Sequence, residues 1–520
     1  MTTYASLEDL TRELRARRSA VLDAQRADEL ERQRKLEKFT ARERIDMLVD
    51  TGTFREFGVL VDTGKGDPGR EKPIAAADGV VTGIGQIDGR SAAIVSYDFS
   101  IFGGSSGVAG GRKIGRAVER AGVEGIPLVM LMDGGGHRIQ EGLDSHHFAS
   151  GTHGFKDMTD LSGAIPIVAV LMGPGFAGPS NHAAFADFVV MVKGTSTMGI
   201  AGPALVEAAT GEHISNEDLG GAQIQAALGV TDIAVNSEEE AMDAVRLYLD
   251  YLPSNATTAP PSGASSEPSG AAGINEVVPA DPKTIYDVHD VIDGLVDADS
   301  VFSIKEEYAR NVVTAFARLD GRAIGVVANQ PSHLGGTLDS PACEKAAHFI
   351  SVCDAFGLPL LFLIDIPGFL VGTESAVTQL ARRSGRLMFE MGQATVPLLS
   401  VVMRKGYGAG YVAMGGGRSY DADASLAWPT AEISAMSIPG AVDVAYRREV
   451  AAADDPTAHR QALIDEFTRH VGPFYAARGF GFDELVMPSE TRAVLIDTLK
   501  RVPDRHRSSA APRIHAISPI

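Results

Sequence analysis

The stretch from Asp88 to Gly136 returns, without a gap, as Asp320 to Gly368 at a constant offset of 232 residues. Asp88-Gly89-Arg90 recurs as Asp320-Gly321-Arg322, Gly103-Gly104 as Gly335-Gly336, Lys113 as Lys345 and Asp133 as Asp365. Fourteen of the 49 aligned positions are identical, too many for chance over so long a window. A second block, at offset 231, sets Ile165 to Met172 against Val396 to Met403. A chain that writes one unit twice folds as two like domains, and the face between like domains is a favoured place for a site.

The length of 520 residues agrees, being too long for one core and right for two of roughly 200–250 residues with extensions. The segment from Pro253 to Gly273 is rich in Pro, Ser, Ala and Gly and reads as a linker of low order. The expected division is an N-terminal domain over 1–255, a linker over 256–275 and a C-terminal domain over 276–520. Residues 5–48 alternate basic and acidic side chains with Leu at helical spacing. They read as a solvated helical arm that packs on a neighbouring subunit, with Arg42 or Arg44 as alternative phosphate ligands.

The net charge of −20 disfavours nucleic acid and anionic membranes as partners. The longest apolar runs, such as Leu358 to Ile364, fall far short of the ~20 residues that span a bilayer, and the N-terminus shows no signal-peptide core. Two cysteines, Cys343 and Cys353, give neither a disulfide framework nor a zinc ribbon. A reducing cytoplasm is the expected compartment, and no metal is expected in this chain.

Each half carries an apolar strand that runs into glycines at the start of a helix. Ile126 to Met132 leads to Asp133-Gly134-Gly135-Gly136, and Leu358 to Ile364 leads to Asp365-Ile366-Pro367-Gly368. Such strands, apolar on both faces, belong to a layered α/β sheet. Free amides at such a turn, aided by the helix dipole, can hold an oxyanion. Gly135-Gly136 is one candidate hole; Ala409-Gly410, within Arg404 to Tyr411, is the second. The alternative is that these glycines only permit tight turns. No G-x-S-x-G elbow, Walker loop or Rossmann fingerprint occurs in its proper context.

Further motifs run the length of the chain: Lys38-Phe39-Thr40-Ala41-Arg42-Glu43-Arg44-Ile45, Phe102-Gly103-Gly104-Ser105 and Arg138-Ile139-Gln140-Glu141-Gly142. Gly202-Pro203, Thr210-Gly211-Glu212, Asp218-Leu219-Gly220-Gly221 and Val327-Ala328-Asn329-Gln330-Pro331 follow, then Asp365-Ile366-Pro367-Gly368-Phe369 and Ala427-Trp428-Pro429-Thr430-Ala431-Glu432. With these motifs the chain resembles the carboxyltransferase (β) subunits of biotin-dependent acyl-CoA carboxylases, the group of propionyl-CoA and methylcrotonyl-CoA carboxylase. The resemblance implies two tandem crotonase-like domains and a homo-oligomer, usually a hexamer. It implies an acyl-CoA on the N-domain of one subunit and biotin, carried by a separate subunit, on the C-domain of another. Gly135 and Gly136 would then donate to the thioester oxygen, and Ala409 and Gly410 to the ureido oxygen of biotin. Phe102, Gly103, Gly104, Ser105, His137, Arg138, Gly173 and Gly175 would line the acyl-CoA site. Gly368, Phe369, Tyr407, Gly408, Tyr411 and Val412 would line the biotin site. Biotin itself can take the acyl α-proton, which accounts for the lack of an evident side-chain base.

Three loops depart from the commoner family pattern. Gly134-Gly135-Gly136-His137-Arg138 stands where Ser-Gly-Gly-Ala-Arg is usual. In Gly173-Pro174-Gly175-Phe176-Ala177-Gly178-Pro179 a proline removes an amide donor. Gly408-Ala409-Gly410-Tyr411-Val412 replaces the Gly-Gly-Ala-Tyr-Asp of propionyl-type members. These changes suggest an acyl group longer or more branched than propionyl. Two other readings stay open: a biotin-independent decarboxylase of a malonyl-type thioester, and a non-catalytic scaffold subunit. The chain has no biotinylation segment and no ATP-binding carboxylase domain, so a biotin carboxylase/biotin carrier partner subunit is expected.

Overall fold

The computed structural model describes residues 6–62, 76–151, 155–505 and 516–518. They divide into two compact units, the first ending at Thr258 and the second beginning at Ala259. The strands of the first unit are β1 (Arg55–Phe57), β2 (Val80–Ile87), β3 (Arg90–Tyr97), β4 (Leu128–Gly134), β5 (Ile167–Phe176), β6 (Phe188–Val192), β7 (Thr197–Gly199) and β8 (Ile233–Val235). They form one sheet in the order β1-β2-β3-β4-β5-β6-β8, with β7 paired to the end of β5. The second unit repeats the plan with β9 (Phe302–Ile304), β10 (Val312–Leu319), β11 (Arg322–Asn329), β12 (Leu360–Ile366), β13 (Leu398–Tyr407), β14 (Ala424–Ala427), β15 (Glu432–Ser434) and β16 (Glu484–Leu485). Its order is β9-β10-β11-β12-β13-β14-β16, with β15 on β13.

Local chemistry sets both sheets the same way. Asp88-Gly89 and Asp320-Gly321 all have positive φ, from 49° to 79°, the geometry of a two-residue hairpin turn that matches strand twist. From β3 and β11 onward the pairings are parallel and need helical crossovers. Five helices matter here: α1 (Ala41–Leu48), α2 (Val108–Glu124), α3 (Gly178–Ala183), α4 (Ser340–Phe356) and α5 (Gly408–Ala413). α2 and α4 are the crossovers into β4 and β12, and each ends at a left-handed glycine, Gly125 or Gly357. All seven residues of β4 and of β12 are buried, in line with their unbroken apolar runs.

The repeated lysines are ties between helix and sheet. Lys113 on α2 donates to the Ala77 and Val80 carbonyls at the head of β2. Lys345 on α4 donates to Tyr308 and Val312 at the head of β10, at 2.9 and 2.7 Å. Burial pushes their ammonium groups down, to about 8 and about 7.

Two expectations change. The Pro/Ser/Gly segment is not loose: Gly263 N–H donates to Gly321 (2.8 Å), Gly270 N–H to Asp293 (2.9 Å), and Arg318 and Arg492 donate to the Pro261 and Ser266 carbonyls. Its backbone groups find partners on the second unit, which composition alone does not reveal. The N-terminal arm is not wholly solvated either. The helix Leu7–Ala20 has no buried residue, but α1 buries Ala41, Arg44, Ile45 and Leu48, entering through a Thr40/Glu43 capping box. Among the described residues, no helix is long and apolar enough to cross a membrane.

Candidate active site

Both sheets are irregular at the same place. The β4–β5 register shifts between Met132 and Gly134, and the β12–β13 register between Ile364 and Ile366. The residue inside each shift is the repeated aspartate, and such bulges re-aim the chain that follows.

In the first unit, the Phe102-Gly103-Gly104 turn lies directly on the end of β4. A Cβ on Gly104 would come within 2.1 Å of the Asp133 carbonyl oxygen, and one on Gly134 within 2.4 Å of Gly104 Cα. Only glycine permits that approach. It has a consequence for the expected hole: Gly135 N–H already donates to the Gly103 carbonyl at 3.2 Å. The Gly135 amide thus has an acceptor within the unit, unlike the two that follow it. Ser106 N–H donates to Gly136 O and Arg138 N–H to Ser106 O, an arrangement that leaves Gly136 N–H and His137 N–H with no acceptor among the described residues. The first turn of α3 lies against Gly136, whose Cβ would stand 3.0 Å from Gly178 N and 2.8 Å from Ala177 Cβ. Gly178 opens α3 and its amide has no intrahelical acceptor. Ala177 holds φ at 57° to make the entry.

The second unit builds the same thing from its own copies. A Cβ on Gly336 would meet the Asp365 carbonyl at 2.6 Å. Leu338 N–H donates to Gly368 O and Leu370 N–H to Leu338 O, leaving Gly368 and Phe369 N–H without acceptors among the described residues. Gly410 lies against Gly368, 3.1 Å from a Gly410 Cβ to Gly368 Cα. Ala409 and Gly410 sit in the first turn of α5, and Ala409 is exposed.

The expected side chains divide. His137 meets Phe148 edge-on, ring centres 5.6 Å apart, and its Nε2 is enclosed with no hydrogen-bond partner among the described residues. Phe102 is half exposed, with the Arg138 guanidinium 4.9 Å from its ring centre. Arg138 itself is buried against Asp78 (2.8 Å) and Glu141 (2.5 Å), so it is committed inside the unit. Ser105 donates its hydroxyl to the Phe102 carbonyl. Gly173 lies under the strand end, where a Cβ would fall 1.9 Å from Asp133 Oδ1. Gly175 faces Leu171 and the Thr197 carbonyl. Tyr407 donates its hydroxyl to Glu432 at 2.5 Å, and burial first, Glu432 second, pushes its phenol up. Tyr411 fills the space left by Gly406, Gly416 and Gly417, and Gly408, at φ 59°, meets the Ala435 carbonyl. Val412 is more than a third exposed, on the same turn as Ala409.

Sequence reasoning missed the buried ions behind these loops. Asp133 accepts from Lys38 Nζ (2.5 Å) and Arg44 Nη1 (2.8 Å), and Arg44 also clasps Glu238 through two 2.6 Å bonds. Asp365 accepts from Arg404 Nε (3.0 Å) and from Lys405 N–H (3.0 Å). Arg42 pairs with Glu56 (2.5 Å), so neither Arg42 nor Arg44 is free for a phosphate. The identity of Asp133 and Asp365 in the repeat was the available signal.

The Carboxyl transferase domain family matches residues 32–516. The chain is 40% identical over 509 residues to a propionyl-CoA carboxylase carboxyltransferase subunit of Haloferax mediterranei, covering 97% of this chain and 98% of that one. It is 38% identical over 491 residues to the methylmalonyl-CoA carboxyltransferase 12S subunit of Propionibacterium freudenreichii, covering 93% and 92%. Its fold matches a solved transcarboxylase 12S, a hexamer with methylmalonyl-coenzyme A and methylmalonic acid bound, at a TM-score of 0.91, 36% identity and full coverage of both chains. The two units are accordingly tandem crotonase-like domains. Free main-chain donors at the ends of two copied sheets, full-length relatives and a full-length structural match lead to one conclusion: this chain is a carboxyltransferase of the carboxyl transferase family, related to the β subunits of biotin-dependent acyl-CoA carboxylases.

Proposed function

We propose that this chain transfers a carboxyl group between biotin and the α carbon of an acyl-CoA, using one set of main-chain donors in each unit. The observation that carries the reading is the matched pair of strand-end loops with unclaimed amides: Gly136, His137 and Gly178 in the first unit, Gly368, Phe369, Ala409 and Gly410 in the second. On the first unit they polarise the thioester oxygen and hold the charge that develops as the α-proton leaves. On the second they hold the ureido oxygen. Water-excluded donors of this kind are worth roughly 2.7–4 kcal/mol each.

The second site suits biotin on its own chemistry. The ureido group is neutral and needs N–H donors rather than a cation, and the ammonium of Lys405, on the strand that leads into α5, is held by Asp365 (3.4 Å) and the Pro282 carbonyl (3.3 Å). Gly368 has open space where a side chain would stand. When bound, biotin supplies the transferable carboxyl group; the chain supplies placement, donors and exclusion of water. Biotin arrives on a carrier subunit with its carboxylase, and the working form is a homo-oligomer, hexameric as in the 12S relative.

The test is incubation of the oligomer with methylmalonyl-CoA or malonyl-CoA, with and without free biotin. Loss of the carboxyl group that requires biotin supports the proposal; loss that ignores biotin makes the chain a decarboxylase, and no turnover makes it a scaffold. The exposed Val412 in place of an acidic residue favours a longer or branched acyl group, and a kcat/KM optimum at propionyl-CoA across an acyl series would remove that refinement.

A further inference from the structure

The two aspartates that sit in the register shifts are served by different parts of the chain. In the second unit, β13 does the work itself: Asp365 Oδ1 takes the Lys405 N–H and Oδ2 takes the Arg404 guanidinium. At the corresponding positions of β5 the first unit has Gly173 and Pro174. Glycine offers no guanidinium and proline no N–H. Both partners are replaced from the arm: Lys38 Nζ takes Oδ1 of Asp133 and Arg44 Nη1 takes Oδ2. Lys38 also occupies the missing side chain's volume, since a Cβ on Gly173 would lie 2.4 Å from Lys38 Nζ. Asp133, Lys38 and Arg44 are all buried, so the substitution was built into the interior and is no surface coincidence.

We propose that Lys38 and Arg44 are positioning residues for the first unit's amide donors, supplied in trans to the sheet by the arm in place of Arg404 and the Lys405 amide. Asp133 immediately precedes Gly134, and its carboxylate joins the strand end to whatever holds it. Fixing that carboxylate fixes where Gly136 and His137 present their N–H groups. The role in catalysis rests on the reading of those amides as donors; the role in ordering the loop does not.

The experiment transplants the second unit's solution into the first. Lys38→Ala and the triple variant Lys38→Ala/Gly173→Arg/Pro174→Lys are compared with the parent oligomer. A Cβ at position 173 would fall 1.9 Å from Asp133 Oδ1, so admitting the new arginine requires the carboxylate to turn, and removing Lys38 releases that oxygen. Two readouts are taken: carboxyl transfer from methylmalonyl-CoA to free biotin, and hydrogen exchange of the 133–138 segment. In Lys38→Ala, kcat is expected to fall roughly 10- to 100-fold with KM for the CoA ester little changed, and exchange at 133–138 to rise about tenfold while the other strands of the unit keep their protection. The triple variant is expected to recover most of both. Exchange that is unchanged, or raised evenly over the whole unit, overturns the proposal, as does a folded triple variant that recovers neither readout. A parent without transfer activity would remove the proposed function and leave the exchange test standing. If Lys38→Ala does not fold, the triple variant decides: folded with a protected loop, it supports the substitution; unfolded, it overturns it.

Discussion

Ala409 isolates the contribution of a single main-chain donor. It is exposed, and it stands in the first turn of α5, where a helix tolerates proline. Ala409→Pro deletes the N–H and little else, so kcat for biotin-dependent transfer should drop by about 10²–10³ while the unfolding midpoint stays near the parent's. His182 offers a second residue-level test. Enclosed on α3, with Tyr97 Oη 3.5 Å from Nδ1, its imidazole is pushed by burial from 6.5 down to about 4. The folded state thus keeps the ring neutral while the unfolded chain protonates it. Its contribution is whole above pH 6.5 and is lost as pH falls from there through about 4. His182→Asn should flatten the loss of stability over that window, read as thermal midpoints at successive pH values.

Among elements, α1 carries most of the surprise. Sequence pattern marks it as a charged helix, and charge usually means solvent; here the charge is spent inward, on Asp133 and Glu238. Breaking one partner of a buried pair leaves the other uncompensated, so Arg44→Ala should lower first-unit stability by about 3–5 kcal/mol, measured as a shift in the urea midpoint. The partners lie 89 and 194 residues away, so no local spacing could have announced them. The hairpins, the crossover helices and the strand-to-glycine turns were legible, because turn residues and apolar periodicity act over a few positions. The internal acceptor of Gly135 was hidden for the same reason in reverse. The Gly103 carbonyl that claims its amide comes from another strand's loop, and a run of three glycines does not say which N–H is left over.

At the scale of the whole molecule, duplication was the most readable fact and asymmetry the least. One copy keeps Arg404-Lys405, the other has Gly173-Pro174, and only the fold shows that the arm makes up the difference. Trp428 is the sole tryptophan and is fully buried, its indole N–H donating to Thr491 Oγ1 at 2.8 Å. Intrinsic emission therefore reports on the second unit. Thr491→Val should cost about 1–3 kcal/mol by stranding that N–H, seen as an earlier red shift of the emission in denaturant with the native spectrum still blue.

The two thiols have a practical consequence. Cys343 and Cys353 are unpaired and buried on α4, and burial pushes the Cys343 thiol up to about 12 and raises that of Cys353 well above its ordinary value. Thiolate is the reactive form, so the native chain should be silent toward maleimides. A cysteine engineered at an exposed position would then be its one attachment point for a fluorophore or spin label, with no background to remove first.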